Sequence, residues 1–533
     1  MLLVDILTVW AGFLLIVVLV NRGVPIFQEL IRDMTDFFME KALGPGADLF
    51  EGRSGSGTVA WMMHGMLWTC IGGAFTFIGL WMGHEPDAIA SLSGIYYEPS
   101  TATVQKVAYG AASGGILMLL IGAGLHINSR LSGVGLASDT NAILVSYAFS
   151  MSLFLGFVSD HTESTWGNLL ETAAGVISVL VMLAILANHL LTLGRRTNDT
   201  VMPSQWLIIG GLSLPLIMSA ACYIVPIHDA IHESMAVLPM LASGLAVALY
   251  VAPFAAGSPL WSRTLAGTTV FMTFVTLSPI GIEGEAQTSM GDAAMLTVLY
   301  AASMVPLLAA AGNVLQTARS NWGKSTGDPA ATAVLIGIIM TIGSAIGHLF
   351  VGSDAHSANE IQHLSASMNM LFLWGGMGMI AWGGVISSFP LASGRSLDSD
   401  ETSRTTIWLV AGGTTLAFLF SMGSSMITAA FDAAAVANDS IDPELIDMSA
   451  TETLDILASI AFYAVSIASI LMMINMIRGN FTGSPLGTGE PTAQSVNRIA
   501  LTPGTTTIRQ LIAAGAGADT EIDVIHDGWD EEE

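Results

Sequence analysis

Gln362-His-Leu-Ser-Ala-Ser-Met-Asn-Met-Leu-Phe-Leu-Trp-Gly-Gly-Met-Gly-Met-Ile-Ala-Trp-Gly-Gly-Val-Ile-Ser-Ser388 contains no Asp, Glu, Lys or Arg. About 20 predominantly apolar residues cross the hydrocarbon of a bilayer, so this stretch reads as a transmembrane helix. Within it Trp374-Gly-Gly-Met-Gly gives a small-residue face that suits a flat cofactor or a close helix neighbour. Twelve further apolar runs of similar length lie at 2–21, 58–83, 106–128, 141–158, 168–193, 203–225, 233–253, 262–281, 290–316, 330–350, 406–430 and 451–477. The expectation is an all-α, polytopic membrane protein of about thirteen spans. The first run has no basic start and no small-residue cleavage site, so it reads as a span and not as a signal peptide. Val24 to Leu43 alternates apolar and charged residues, which predicts a helix lying on the membrane surface.

Composition agrees. Over 533 residues the chain is 52% hydrophobic and 11% charged, with a formal net charge of −26. A soluble globule carries about 25% charged residues. With 16 basic against 42 acidic residues there is no patch to hold phosphates, and nucleic acid is excluded as a partner. Cys70 and Cys222 both lie in apolar stretches, so neither a disulfide framework nor a thiolate metal site is expected. The basic residues alternate with the spans. Arg22, Arg32, Lys41, Arg53, Arg130, Arg195, Arg196, Arg263, Arg319, Lys324, Arg395, Arg404, Arg478, Arg498 and Arg509 all fall on one side, and only Lys106 sits at the other. The positive-inside rule then predicts a multi-pass protein of the cell membrane with its N-terminus outside and its C-terminus cytoplasmic. Residues 486–533 read as an acidic, solvated cytoplasmic tail. The scarcity of lysine in so acidic a chain suits a saline setting, as in halophilic or archaeal proteomes.

Intramembrane ionisable residues are costly and point to function. On this topology His64, His126 and His189 lie near the inner face, and His84, His161, His228, His232, His348, His356 and His363 near the outer face. Each suits a helix end, and seven at one depth also suit a metal or haem site, a proton path or a wet vestibule. Two clusters stand out: Pro226-Ile-His-Asp-Ala-Ile-His232-Glu233, with His228 and His232 on one helix face, and Asp354-Ala-His-Ser-Ala-Asn-Glu-Ile-Gln-His363.

Residues 58–485 resemble subunit I of the haem-copper oxidase superfamily, which includes nitric oxide reductases. The resemblance lies in the order and spacing of Gly122-Ala-Gly-Leu-His-Ile-Asn-Ser-Arg130 through Asn141, of Met290 to Thr317 with Pro306 and Asn313, of Gly337 to Met368, and of Ile474-Asn-Met-Ile-Arg-Gly-Asn-Phe-Thr-Gly-Ser-Pro485. It implies a twelve-helix domain over 58–485 preceded by an extra helix in 1–57. It also implies lipid contact, partner subunits of a respiratory complex and an oxidoreductase frame.

The resemblance implies six histidine ligands, and most are absent. Tyr109 stands at the second-helix haem position, and His363 matches the low-spin haem ligand on the tenth helix. The high-spin position falls on Ile361, the sixth-helix copper position on His232 beside Glu233, and the seventh-helix pair on Ser278-Pro279. Copper on a single imidazole has no defined geometry, so copper is not expected. A haem held by Tyr109 and His363 is conceivable, since tyrosine ligates iron in catalase. Glu233 and Asp354 are expected to handle protons near the outer face. The expected function is an oxidase-like respiratory-chain component without a working oxygen-reducing centre. The alternatives are a secondary transporter, or an active terminal oxidase with ligands at other positions.

Overall fold

The computed structural model describes residues 2–20, 54–85, 87–89, 99–162, 165–197, 201–222, 229–276, 278, 290–351, 358–437 and 449–486. The expected surface helix at 24–43 and the acidic tail lie outside the described residues, as do His228, Asp354, His356 and His526.

Each expected span is a helix. They are α1 (Leu2–Val18), α2 (Ser56–His84), α3 (Thr101–Ser132), α4 (Asp139–Asp160), α5 (Thr165–Gly194), α6 (Pro203–Ala221), α7 (Asp229–Ala256) and α8 (Arg263–Val275). There follow α9 (Met290–Ser320), the short α10 (Trp322–Gly327), α11 (Pro329–Val351), and α12 (Ala358–Met370), which runs through a π-helical segment (Leu371–Gly378) into α13 (Met379–Ser393). Finally come α14 (Asp400–Ala437) and α15 (Ser449–Thr482). Among the described residues, 11 helices are long and apolar enough to cross a membrane. Within the described residues α1, with 17 residues, and α8, with 13, are shorter than these. The run expected to reach residue 281 stops early at Val275. Thr276 is already extended, and Pro279 disfavours a helical conformation in the residue before it.

Hydrogen bonds between connections gather alternate helix ends at one end of the bundle. The backbone N–H of Gly57 donates to Asp139 (2.9 Å), that of Thr197 to Ser132 O (2.9 Å), and that of Trp261 to Thr317 Oγ1 (2.9 Å). The side chains of Arg404 and Arg395 donate to the carbonyls of Gly327 and Gly483. At the opposite end Lys106 is neutralised by Asp160 at 2.6 Å. The chain therefore winds up and down with its basic connections on one side, as the positions of the basic residues predict.

Helix α3 is the central column. In its most apolar window 83% of residues are buried, against 11% for the peripheral α5. It sits there because glycines let backbones touch. A Cβ on Gly72 of α2 would meet Ala112 N at 2.4 Å, and one on Gly115 of α3 would meet Thr69 N at 2.5 Å. The π segment is packed in the same way. A Cβ on Gly376 would meet Thr341 Oγ1 at 2.6 Å, and one on Gly337 would meet Gly376 O at 2.8 Å, so the small face of Trp374-Gly-Gly-Met-Gly is occupied by α11. On its other side Trp374 stands edge-on to Phe462 at 5.3 Å. Helix α1 docks on the outside of α6 and α8. The Trp10 indole N–H donates to Val275 O at 2.9 Å, and Phe13 stacks on Phe274 at 5.4 Å.

The close approach gives a direct test. Gly72→Ala is expected to destabilise the bundle by about 1–3 kcal/mol through overpacking, because the added methyl meets backbone. Gly110→Ala on the outer face of α3, where a Cβ meets nothing within 4 Å, should stay within about 1 kcal/mol of the unsubstituted protein. The unfolding midpoints of the two variants in one detergent check the contrast.

Candidate functional site

The last turns of α3 carry an unusual run for a membrane interior: His126, Asn128, Ser129, Arg130 and Ser132 are all buried. Polar groups removed from water need partners, more strictly so in a bilayer. Here the partners come from α5 and α6. The Met202 backbone N–H donates to Gln205 Oε1 at 2.9 Å, which fixes the orientation of the Gln205 amide. Its Nε2 then donates to Asn128 Oδ1 (3.0 Å) and Ser132 Oγ (2.9 Å). Asn128 Nδ2 is left to donate to His189 O (3.0 Å), with its second hydrogen facing His189 Nδ1 at 3.2 Å. The polarity of the whole chain thus follows from one backbone N–H. It makes His189 Nδ1 an acceptor and places the ring proton on Nε2.

A second tier closes the site towards the basic connections. Asn188 Nδ2 donates to Ser138 O at 2.8 Å, and Thr192 Oγ1 accepts from the Ala137 backbone N–H at 3.0 Å. Beside these tiers lie three groups with unmet hydrogen-bonding capacity. His189 Nε2 and both ring nitrogens of the fully buried His126 have no hydrogen-bond partner. His126 is flanked by the guanidinium of Arg130, which lies next to Tyr250 of α7. Each such buried group costs about 1–3 kcal/mol if left unpaired, and internal water commonly pairs with such atoms.

The other histidines are mostly engaged. His64 Nδ1 pairs with Ser146 Oγ at 3.1 Å, and His161 Nδ1 meets Phe157 O at 2.7 Å. His348 meets Ser344 O and the Asn369 side chain, both at 2.9 Å, and so ties α11 to α12. His84 is 3.5 Å from Glu452.

The positions that the resemblance implies for haem and copper are placed as follows. Tyr109 is 53% exposed on the outer side of α3, whereas Val107, Ala108 and Ala111 are buried. Farther along, the π segment and α3 approach each other, and a Cβ on Gly378 would touch Ile116 at 3.5 Å. His363 lies on α12, but its side chain is outside the described residues. A phenol on the outer surface cannot ligate an iron inside the bundle, so the described residues do not fit a haem held between Tyr109 and His363. His232 is exposed and Glu233 half-buried, in the first turns of α7. Ser278, of the implied seventh-helix pair, lies against Ser234, two residues beyond the implied copper position His232. The Ser278 backbone N–H donates to Ser234 Oγ at 2.8 Å, with both residues buried. Among the described residues no group of three or more His, Cys, Asp or Glu is placed to hold a metal ion. Glu233 stands near Tyr300 of α9.

No protein-family model matches the chain, and no curated protein matches it. Among solved structures, a cryo-EM structure of a haem-copper terminal oxidase dimer is similar, with a TM-score of 0.56 and 10% identity. The match covers 86% of this chain and 90% of that one. At that identity the likeness is one of fold: the chain is a multi-pass, all-α membrane protein with a haem-copper oxidase-like architecture.

Asn128 and Gln205 were not among the candidate residues. The signal available in the sequence was a shared depth, with His126-Ile-Asn-Ser-Arg130 ending one span and Asn188-His189 ending another. Asn128→Leu removes the link between the Gln205 amide and the His189 carbonyl. It is expected to cost about 1–3 kcal/mol, read as a lower unfolding midpoint with the helical circular dichroism of the folded state retained.

Proposed function

We propose that the chain is an integral membrane component of a respiratory chain that keeps an oxidase-like frame without a haem-copper oxygen-reducing centre, and that it handles protons and supports neighbouring subunits. The observation that carries this reading is the Ser278–Ser234 hydrogen bond. It turns the Ser278 backbone towards Ser234, while His232, the one imidazole at the implied copper positions, is exposed, and copper on a single imidazole has no defined geometry. The fully buried imidazoles, His126 and His189, lie on different helices, in α3 and α5.

Neutral imidazole accepts a proton at one nitrogen and releases one at the other. His189 is held in one tautomer by Asn128, and its Nε2–H is the proton it offers. His126 brings two ring nitrogens without partners. Internal water satisfies such atoms where at least two polar groups converge. In this reading the cluster takes up protons at the basic end, while Glu233 and Asp354 serve the opposite end. Partner subunits supply the redox chemistry. The basic end faces the cytoplasm, on the positive-inside rule.

Elemental analysis and an absorbance spectrum, with and without dithionite, test the central claim. Copper well below one per chain and no high-spin haem are expected, whereas two haems and one copper per chain refute it. A single low-spin haem without copper assigns electron transfer to His363 and leaves the frame reading standing. In proteoliposomes, His189→Leu should slow proton uptake severalfold. Solute flux equal to that of empty vesicles separates this reading from a secondary transporter.

A further inference from the structure

The groove between α1, α6 and α8 is not used by the polar cluster. Its volume is ≈ 290 Å³, and its walls are apolar, formed by Phe13 of α1, Trp206 of α6, and Val270 and Phe271 of α8. Gly267 forms an open stretch of the floor, where a Cβ would meet nothing within 4 Å. One charged residue lines the groove, Arg263, at the start of α8. Arg263 makes no hydrogen bond or ion pair with the other described residues.

The lining runs inward from the basic end of the bundle, from Arg263 at the start of α8 to Phe271 two turns on. Phe13, which stacks on Phe274, lies farther in, whereas Trp206 near the start of α6 and Arg263 at the start of α8 lie at the end of the bundle that carries the basic connections. That is where tryptophan favours the membrane interface. The groove therefore opens to the acyl chains along its length and to the headgroups at Arg263. In a chain of net charge −26, a cation with no carboxylate partner among the described residues, set at the positive end of a helix, attracts an anion. The apolar walls demand that this anion carry a hydrocarbon chain.

We propose that this groove binds one anionic phospholipid of the leaflet at the basic end, with its phosphate on Arg263 and an acyl chain over Gly267 between Phe13 and Phe271. The lipid fills the gap between the peripheral helix α1 and the bundle and so completes the docking of α1.

The test uses the full-length protein, stripped by detergent exchange and incubated with an equimolar mixture of phosphatidylglycerol and phosphatidylcholine. Bound lipid is counted by mass spectrometry of the intact complex. One retained phospholipid is expected, with phosphatidylglycerol favoured about fivefold, the effect of roughly 1 kcal/mol for one basic residue at an anionic surface. Arg263→Gln should retain the lipid and lose the preference. Gly267→Leu, whose Cβ meets nothing within 4 Å, projects into the groove and should lose the lipid while keeping the unfolding profile of a folded bundle. Equal retention of the two lipids by the unsubstituted protein overturns the proposal, as does a preference that survives Arg263→Gln. Lipid retained by Gly267→Leu at the unsubstituted level, or lipid absent from the unsubstituted protein, overturns it as well.

Discussion

Backbone-to-backbone contact between α2 and α3 is the constraint on which the rest of the molecule depends. Lipid is as apolar as leucine, so helices in a bilayer gain little by hiding hydrocarbon from it, and close approach through small residues supplies the attraction instead. Gly72 and Gly115 bring the two backbones within reach of one another. That contact seats α3 on the axis, and its polar end is enclosed as a result. With larger residues at these positions α3 would stand off, and His126 and Asn128 would face lipid or water in place of α5, α6 and α7.

Enclosure gives the polar cluster its direction. In water the amides of Asn128 and Gln205 would turn freely between equivalent partners. Here the chain begins at the Met202 N–H, a donor that cannot be reversed, and every later donor and acceptor is set in turn. A network of fixed polarity in a low dielectric is strengthened by its own cooperativity, and it penalises any member left out. The nitrogens of His126 and His189 that lack hydrogen-bond partners among the described residues sit beside this ordered network.

The fold was largely legible because the bilayer enforces it. Backbone groups in hydrocarbon must pair within a helix, so an apolar run of sufficient length has one outcome, and all thirteen runs are helical. Where the reading overshot, at the end of α8, the reason was present in Pro279. The face that a residue presents was far less legible, because in a span almost every residue is apolar and the periodicity that marks a soluble helix is weak. Tyr109 and Ala108 are adjacent, yet one is exposed and the other buried. His232 is exposed while Ser234, two positions on, is buried and meets Ser278. Asn128 reaches His189 across 61 positions and Gln205 across 77, and no local spacing rule joins them.

The π segment at Leu371–Gly378 acts on the angular phase of its helix. A π turn bonds each residue to the fifth ahead, so the chain rotates less per residue there than in an α-helix. Ser367, which meets Ser421 before the segment, and Trp382, buried after it, keep a relation that a continuous α-helix of the same length would not give them. Counting in steps of three and four across this span therefore accumulates a rotational offset. Deleting a single residue at Gly375-Gly376 is the smallest change that would reset the phase. It would turn the half of the span that follows, Trp382 and Phe389 included, against α3, α7 and α11.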